Sequence, residues 1–380
     1  MKFIADILSQ KCKSGYSVCG DYRICTRTEA GTVYILCDGI GSGVYANIAA
    51  ITCAERLKEL FLNGISLRAA AEMVAASMHR ARKEDIPFSA FSAVLVLPGG
   101  HFTVYTYEAP EPVLLQKNRA SVMARRFYTA GFEVIGESAG YLQLNDSLLL
   151  FSDGVTQAGL GHGYGMGVGA DGIAEYINRV IRNNSSAAML PENITSYCRS
   201  LSGNRYEDDT TLALLYCREA KELTFLTGPP SKPSMDREYA SLIQKAQGKK
   251  VVCGSTTIDI LSRELDIRVE TMNLRANAGG PPEYSIVGID IATEGAIMLN
   301  QVCNILDEPV DRLLGCSAVE RLCEMLREAD VIHFHIGNAL NEAHDRLFFK
   351  QLGMQVRRTT VEMLADKLQA MGKVVIKKYY

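Results

Sequence analysis

The sequence of 380 residues lacks three features that would assign it to a large functional class. Basic residues are not in excess, since Lys and Arg number 40 against 43 Asp and Glu, so neither nucleic acid nor an anionic bilayer is an expected partner. No apolar run approaches the ~20 residues of a membrane span, and AVLVLP ends at Pro98. The eleven cysteines form no CxxC pair, which argues against a zinc ribbon or a disulfide framework.

The amino-terminal segment and the cysteines together predict a cytoplasmic protein. MKFIADILSQ has too short an apolar core for a signal peptide, and Asp6 interrupts it. Scattered cysteines are typical of buried, reduced thiols in a reducing compartment.

What the sequence does contain is ordinary globular composition, with 47% hydrophobic and 22% charged residues. At roughly 150 residues per domain, the length predicts two or three domains. The clearest boundary is TGPPSKPSMD at 227–236, which carries three prolines. We therefore predict a first domain over 1–226, a linker and connecting helix over 227–248, and an α/β domain over 249–380.

Hydrophobic patterns distinguish the two regions. Before the boundary, TVYILCDG predicts a strand, ANIAAITCAERLKELFL and SLRAAAEMVAASMHRARK predict helices, and FSAVLVLPGG with HFTVYTYE predicts a hairpin. These elements indicate antiparallel sheets flanked by helices. After the boundary, strands are predicted at KKVVCG and YSIVGIDI, a helix is predicted at STTIDILSREL, and ADVIHFHIGNAL lies near the end of the region. Alternation of strands and helices is typical of a three-layer α/β domain.

Four acidic signatures in the first region are predicted to lie where strands end. They are CGDYR with Asp21, CDGIGSG with Asp38, FSDGV with Asp153, and EDDTT with Asp208 and Asp209. Taken singly, Asp-Gly is a common turn. If the carboxylates converge they repel each other, and a hard divalent cation that takes oxygen ligands from several of them removes this conflict. Without Cys or His partners, magnesium or manganese is favoured over zinc.

The glycine loop that follows Asp38 also fits a dinucleotide-binding fingerprint. Gly41-Ser-Gly43-Val-Tyr-Ala46 matches GxGxxA between a predicted strand and a predicted helix. Asp38 would repel a pyrophosphate there, and the second strand with its ribose-binding acid is missing. A nicotinamide-dependent enzyme is therefore disfavoured.

In this order, GD, DGIGSG, FSDGV and DDTT resemble the motifs of bacterial metal-dependent protein phosphatases typified by stage II sporulation protein E (SpoIIE), a branch of the protein phosphatase 2C (PP2C, PPM) family. The resemblance covers about residues 15 to 218 and includes GFEVIGESAGYLQLNDSLLLFSDGVTQA and the GYGMG loop. It implies an α+β fold, a PP2C-like α-β-β-α four-layer sandwich, followed here by a smaller C-terminal α/β three-layer domain.

The resemblance further implies a site for two Mn²⁺ or Mg²⁺ ions. Its ligands would be Asp21, Asp38, Gly39 through its carbonyl, Asp153 and Asp208, with Asp209 as a further candidate. Asp38 would bridge the ions, and catalysis would depend on Asp38 and Asp153. A metal-bridged water would attack the phosphorus directly, so the expected activity is that of a protein serine/threonine phosphatase in signalling.

The sequence allows more than one interpretation of the proton donor, the phosphate-binding arginine and the helices after Asp38. Ile40 stands where animal and plant members carry a histidine proposed to protonate the leaving group. Arg23 is either a phosphate-binding residue or a solvated surface side chain. Helices within 44–83 would form the switch of the SpoIIE branch or a plain core-facing pair. The substrate would be a phosphoprotein, in this branch often a small anti-sigma-factor antagonist, and a homodimer is possible. The alternative function is a scaffold or sensor of phosphatase fold without turnover.

The second domain offers weaker candidates. Ser255, Thr256 and Thr257 open a helix, where they either cap it or leave backbone N–H groups free for an anion. Three residues follow another predicted strand and could form an edge site: Asp290, Thr293 and Glu294. Three histidines could bind a metal but are more typical of satisfied core residues: His333, His335 and His344. This domain resembles an extension of SpoIIE-type phosphatases associated with iron-only hydrogenase genes. Its tandem arrangement with the first domain suggests a sensing or docking role.

Overall fold

The computed structural model describes residues 1–182, 187–272, 282–313, 315, 317–339 and 355–380. The chain divides into two compact units, the first formed by Met1–Thr26 and Ala30–Glu219 and the second by Arg27–Glu29 and Ala220–Tyr380. Within the described residues, no helix has both the length and the apolarity that crossing a bilayer requires.

Two antiparallel sheets form the centre of the first unit. One contains, in spatial order, β1 (Lys2–Lys11), β11 (Thr210–Glu219), β10 (Ser147–Phe151), β6 (Val113–Gln116) and β7 (Arg119–Val122). The other contains β2 (Asp21–Thr28), β3 (Gly31–Gly39), β4 (Ser89–Val96), β5 (His101–Tyr107), β9 (Glu133–Tyr141) and β8 (Arg126–Ala130). The predicted hairpin is β4 and β5.

Helices cover the outer faces of both sheets. On the six-stranded sheet lie α1 (Val44–Leu62) and α2 (Leu67–Lys83), and on the five-stranded sheet lie the short α3 (Asp153–Thr156), α4 (Gly169–Arg182) and α5 (Leu190–Leu201). A separate apolar core that includes Tyr34, Phe102 and Leu150 fills the space between the sheets. The predicted α-β-β-α sandwich is therefore confirmed.

The helices α1 and α2 occupy the range for which the sequence allowed either a switch or a plain core-facing pair, and α2 carries a run of alanines. Ala70, Ala71 and Ala75 are buried against the sheet, whereas Ala69 is half-buried and Ala76 is exposed. Small side chains on the buried face let the helix backbone approach the strands closely.

The second unit is built on one mixed sheet. Its strands are, in spatial order, β14 (Val269–Thr271), β15 (Glu283–Ile286), β16 (Ile291–Thr293), β13 (Lys249–Cys253), β12 (Glu222–Thr227), β17 (Val331–Ile336) and β18 (Val374–Tyr379). The run from β16 to β18 is parallel, and β14 and β15 form an antiparallel edge.

Helices lie on both faces of this sheet, so the predicted three-layer α/β architecture is also present. One face carries α8 (Ala296–Ile305), α9 (Ala318–Glu328) and α10 (Arg357–Ala370), and the other carries α6 (Asp236–Lys245) and α7 (Ser255–Leu265). Neighbouring residues of β12 serve the two cores, since Phe225 packs with the first set of helices and Leu226 with the second.

The division between the units differs from the predicted one. The first unit ends at Glu219, and β12 pairs with β13 and β17 in the second sheet, so 220–226 belong to the second unit. The region 227–248 is not a linker either, because Tyr239 and Ala240 on α6 are fully buried. The prolines that suggested a boundary follow the carboxyl end of β12, which is paired on both sides within this sheet.

Candidate metal centre

Antiparallel pairing brings the four acidic signatures to one edge of the sandwich. Asp38 is the penultimate residue of β3, and Asp153 comes two residues after β10, as expected for strand ends. Asp21 instead opens β2, and Asp208 precedes β11, so the expectation that all of them end strands was wrong. Where neighbouring strands run in opposite directions, the start of one lies beside the end of the next.

Electrostatic interactions connect these carboxyl groups. The backbone N–H of Asp153 donates a 3.2 Å hydrogen bond to Oδ2 of Asp38. Burial raises the pKa of Asp38 well above its usual value, and the charges of Asp21 and Asp153 raise it further. Burial also raises the pKa of Asp208, with a contribution from the charge of Asp153. Asp21, Asp38, Asp153 and Asp208 are therefore linked pairwise along one edge of the sandwich, although no three of them bring carboxylate oxygens within 4.8 Å of one another. We call this group the acidic edge.

Asp21 is the member whose surroundings require a partner. It is 2% exposed, and among the described residues neither carboxylate oxygen has a hydrogen-bond partner of good geometry. Burial raises its pKa to about 7, although the nearby hydroxyls of Thr211 and Ser152 act in the opposite direction. A buried carboxylate without partners is costly. Oxygen-only donors of this kind fit a hard divalent cation.

Both Asp-Gly pairs need their glycine for space. A Cβ on Gly39 would lie 1.9 Å from the carbonyl oxygen of Ala46, in the first turn of α1. A Cβ on Gly154 would lie 2.2 Å from the carbonyl oxygen of Asp209. These glycines let neighbouring backbone approach the acidic edge closely, which no larger residue would permit.

Asp209 differs from the other acidic residues because both of its oxygens are already engaged. They accept backbone N–H bonds from Lys13 at 2.8 Å and from Gly20 at 2.7 Å. Asp209 thereby holds the two ends of the segment that leads into Asp21. Asp208 has fewer contacts. Its Oδ1 accepts a 2.9 Å hydrogen bond from the backbone N–H of Asp209, and Nζ of Lys13 lies 3.8 Å from the same oxygen.

Asp209 also belongs to a second group of potential donors. One atom each from Cys12, Cys19 and Asp209 lies within 4.8 Å of the others. Burial and the charge of Asp21 raise the pKa of the Cys19 thiol, which therefore stays protonated. Thiols suit softer metals than magnesium or manganese, so this group is chemically distinct from the acidic edge.

A cavity of about 300 Å³ opens beside Asp208 and contains residues that the sequence analysis missed. Its lining includes the exposed side chains of His162 and Arg205. Arg23, the arginine that the sequence analysis considered, is exposed and lies 3.8 Å from Asp6. The position of Arg205, three residues before Asp208, is the signal that could have pointed to it.

The described histidines of the second unit have ordinary partners. Nδ1 of His335 lies 2.9 Å from the hydroxyl of Tyr380, and Nε2 of His333 lies 3.4 Å from Glu222. Burial lowers the pKa of His335 to about 4. His344 lies outside the described residues. His335 is therefore satisfied, whereas Nε2 of His333 is buried without a hydrogen bond of good geometry among the described residues. Neither histidine belongs to a group of three potential metal ligands in the part of the chain that the structure describes.

Comparison of the sequence with family models gives a match over residues 28–218 to stage II sporulation protein E (SpoIIE). This chain belongs to the SpoIIE family. The family consists of bacterial serine/threonine phosphatases of the PP2C type. The matched region ends one residue before the last residue of the first unit. No curated protein sequence gives a significant match.

Solved structures with a similar fold include phosphatase domains of this type. The PP2C domain of SpoIIE from Bacillus subtilis, with a fragment of its regulatory domain, is 15% identical at a TM-score of 0.49, over 57% of this chain and 64% of that one. The RsbU and RsbW domains of a protein from Mycobacterium tuberculosis are 14% identical at a TM-score of 0.48, over 64% of this chain and 67% of that one. PppA from Pseudomonas aeruginosa is 14% identical at a TM-score of 0.41, over 57% of this chain and 98% of that one. These similarities carry no argument about activity.

Proposed function

We propose that the first unit is a Mn²⁺- or Mg²⁺-dependent protein serine/threonine phosphatase. The observation that carries this proposal is the buried Asp21 beside the half-buried Asp38, because neither oxygen of Asp21 has a good partner among the described residues. A carboxylate is rarely buried beside another carboxylate without a cation or a basic side chain. Membership of the SpoIIE family supports the same conclusion.

Each acidic residue would have a distinct role in holding two ions. Asp38 lies between Asp21 and Asp153 in the chain of electrostatic contacts, which supports it as the bridging residue. Asp21 and the carbonyl of Gly39 would complete one site, and Asp153 with Asp208 the other. When bound, two such cations lower the pKa of a bound water and offset the charge on phosphoryl oxygens.

For Asp209 we propose a positioning role. With both oxygens bonded to backbone N–H groups, it fixes the segment before Asp21 and so the direction of that carboxylate. Ile40, which is 44% exposed, has no titratable group and cannot donate a proton to the leaving group.

The cavity beside Asp208 would receive the phosphoprotein. Arg205 carries a permanent positive charge that suits a phosphoryl group, and the exposure of Arg205 and His162 leaves room for a protein surface. A small anti-sigma-factor antagonist would be such a substrate. The ten described cysteines are all free, which fits the proposed cytoplasmic location.

The direct test is hydrolysis of a phosphoserine peptide by the full chain, with and without Mn²⁺. We expect metal-dependent release of phosphate that Asp38→Asn abolishes, because the bridging oxygen charge is lost. The matched control is Asp171→Asn, an exposed residue in the first turn of α4, which should retain full activity. If the wild type binds Mn²⁺ but releases no phosphate from any phosphopeptide or from para-nitrophenyl phosphate, the chain is a scaffold of phosphatase fold.

A further inference from the structure

In the second unit, backbone segments crowd together at the edge where the parallel strands end. A glycine follows the end of each of four adjacent strands, at Gly228, Gly254, Gly295 and Gly337. A Cβ on Gly337 would lie 2.1 Å from the carbonyl oxygen of Pro229, and one on Gly295 would lie 3.4 Å from the Cα of Gly254. We call this the glycine edge. In open α/β sheets, ligands bind at the carboxyl ends of the strands.

Two helices begin at the glycine edge without side-chain caps. The N-cap residues of α7 and α8 are Gly254 and Gly295, and neither helix has a side-chain capping bond. Capping by Ser255, Thr256 or Thr257, one of the two sequence-based alternatives, is therefore not what the structure has. The N–H groups of the first turns stay available, and both helix dipoles place partial positive charge at the same cleft.

Polar side chains without partners also lie at this cleft. Thr257 is fully buried and lines the cavity, and its hydroxyl has no partner among the described residues. Arg357, the first residue of α10, lines the same cavity, and its Nε is likewise buried without a described partner. Leaving a buried donor unsatisfied is energetically costly. Two such donors at one cavity indicate a ligand that accepts hydrogen bonds.

The last residues of the two strands that flank β13 repeat this pattern. Thr227 ends β12 and Thr293 ends β16, both are fully buried, and the hydroxyl of each has no partner in the described part of the chain. Orphaned hydroxyls are therefore concentrated at this edge of the sheet, where the helix N-termini also meet.

We propose that this cleft binds the phosphate group of a small molecule, either inorganic phosphate or a phosphomonoester. The donors number more than the four that a carboxylate readily accepts, and they come from two helices, a threonine and an arginine, which suits a tetrahedral oxyanion. The cavity of about 100 Å³ has room for a phosphate group but not for a nucleoside as well. Glu294 also lines it and would accept a hydrogen bond from a protonated phosphate oxygen.

This proposal is independent of the phosphatase activity, because every residue it uses lies in the second unit. A result at the glycine edge therefore leaves the proposed function untouched. The binding measurement is made on metal-depleted full-length chain, so that phosphate does not associate with cations at the acidic edge. Asp38→Asn should bind phosphate with unchanged affinity.

The test is isothermal titration of the full chain with inorganic phosphate, glycerol 3-phosphate and acetate in separate arms. We expect one site per chain that binds a phosphate compound in preference to acetate, and the tighter of the two phosphate arms identifies the source. Thr257→Val keeps the side-chain shape and should weaken binding about tenfold, since a hydrogen bond to a charged group is lost. Arg357→Gln should weaken it by at least about tenfold.

The matched control is Ser262→Ala at the opposite end of α7, where the hydroxyl donates to the carbonyl oxygen of Ile267. It should bind as the wild type does. The proposal is overturned if phosphate compounds do not bind below about 10 mM, if acetate binds as tightly, or if Thr257→Val and Ser262→Ala behave alike. If the Arg357 variant does not fold, amide hydrogen exchange of the wild type decides, since phosphate should slow exchange at 255–257 and 296–298.

Discussion

The two units each collect polar groups at a sheet edge, but with opposite electrostatic character. At the acidic edge, burial raises the pKa of Asp38 and the charges of Asp21 and Asp153 raise it further. At the glycine edge, helix N-termini meet beside Arg357 and orphaned hydroxyls. One edge therefore suits cations and the other suits anions.

Strand direction explains much of this difference. In an antiparallel sheet, starts and ends of strands share an edge, so acidic residues from both positions meet there. In a parallel sheet with crossover helices, one edge collects the strand ends and the N-termini of the helices that follow. Glycine also has a different use at the two edges: Gly39 provides space, whereas Gly254 has a φ of +130°.

The largest effect is expected from Asp153→Asn. It removes charge where several kcal/mol of transition-state stabilisation depend on bound cations, so turnover should fall about a thousandfold. Phosphate binding by the metal-depleted chain should not change, because the glycine edge is a separate site. Steady-state kinetics and titration on the same preparation check both parts. Loss of both properties would contradict the separation of the two sites.

Two glycine substitutions, one at each edge, compare the acidic edge with the glycine edge through the stability of the protein. Gly39→Ala places a Cβ against the carbonyl oxygen of Ala46 and should lower the free energy of unfolding by roughly 3 kcal/mol. Gly254→Ala meets its nearest atom, the Thr257 hydroxyl, at 3.2 Å and should cost roughly 1–2 kcal/mol through its positive φ. Urea denaturation without metal measures both. A larger cost for Gly254→Ala would show that the two glycines do not differ as described.

Neighbouring acidic residues should respond with opposite signs. Asp209→Asn weakens two buried backbone hydrogen bonds and should lower the stability of the metal-free protein by about 1–2 kcal/mol. Asp208→Asn removes a carboxylate that is repelled by Asp153, so metal-free stability should stay the same or rise. Thermal melts of the two variants provide the measurement. Equal destabilisation would contradict the positioning role of Asp209.

A further expected effect is a pH dependence that comes from Asp21. Its pKa is raised from 3.8 when unfolded to about 7 when folded, so the folded state holds the proton more tightly. Stability therefore falls as pH rises between these two values and levels off above them. We expect the metal-free wild type to lose about 5 °C in Tm relative to Asp21→Asn between about pH 5 and pH 8. Parallel curves for the two proteins would argue against a buried, unpaired Asp21.

Local patterns in the sequence predicted much of the architecture and most of the acidic edge. Asp38 lies at the end of one apolar strand and Asp153 just after another, and a motif of this kind can be recognised without any tertiary information. The same patterns failed for YSIVGIDI, which forms β15 and β16 rather than one strand because Gly288 turns the chain at a φ of +79°.

The remaining features depend on contacts between distant parts of the chain. Asp209 accepts from Gly20, which is 189 residues away, and no local pattern distinguishes this role from that of its neighbour Asp208. At the glycine edge, a single glycine after a strand is ordinary, and only the sheet order brings Gly228, Gly254 and Gly295 together.

The central claim is that the acidic edge holds a pair of divalent cations, and direct measurement of Mn²⁺ binding tests it best. Titration of the metal-depleted full chain, followed by electron paramagnetic resonance, should give two ions per chain. Asp38→Asn should lose saturable binding, whereas Asp171→Asn should retain both ions. Absence of saturable binding in the wild type, or unchanged stoichiometry in Asp38→Asn, would contradict the claim.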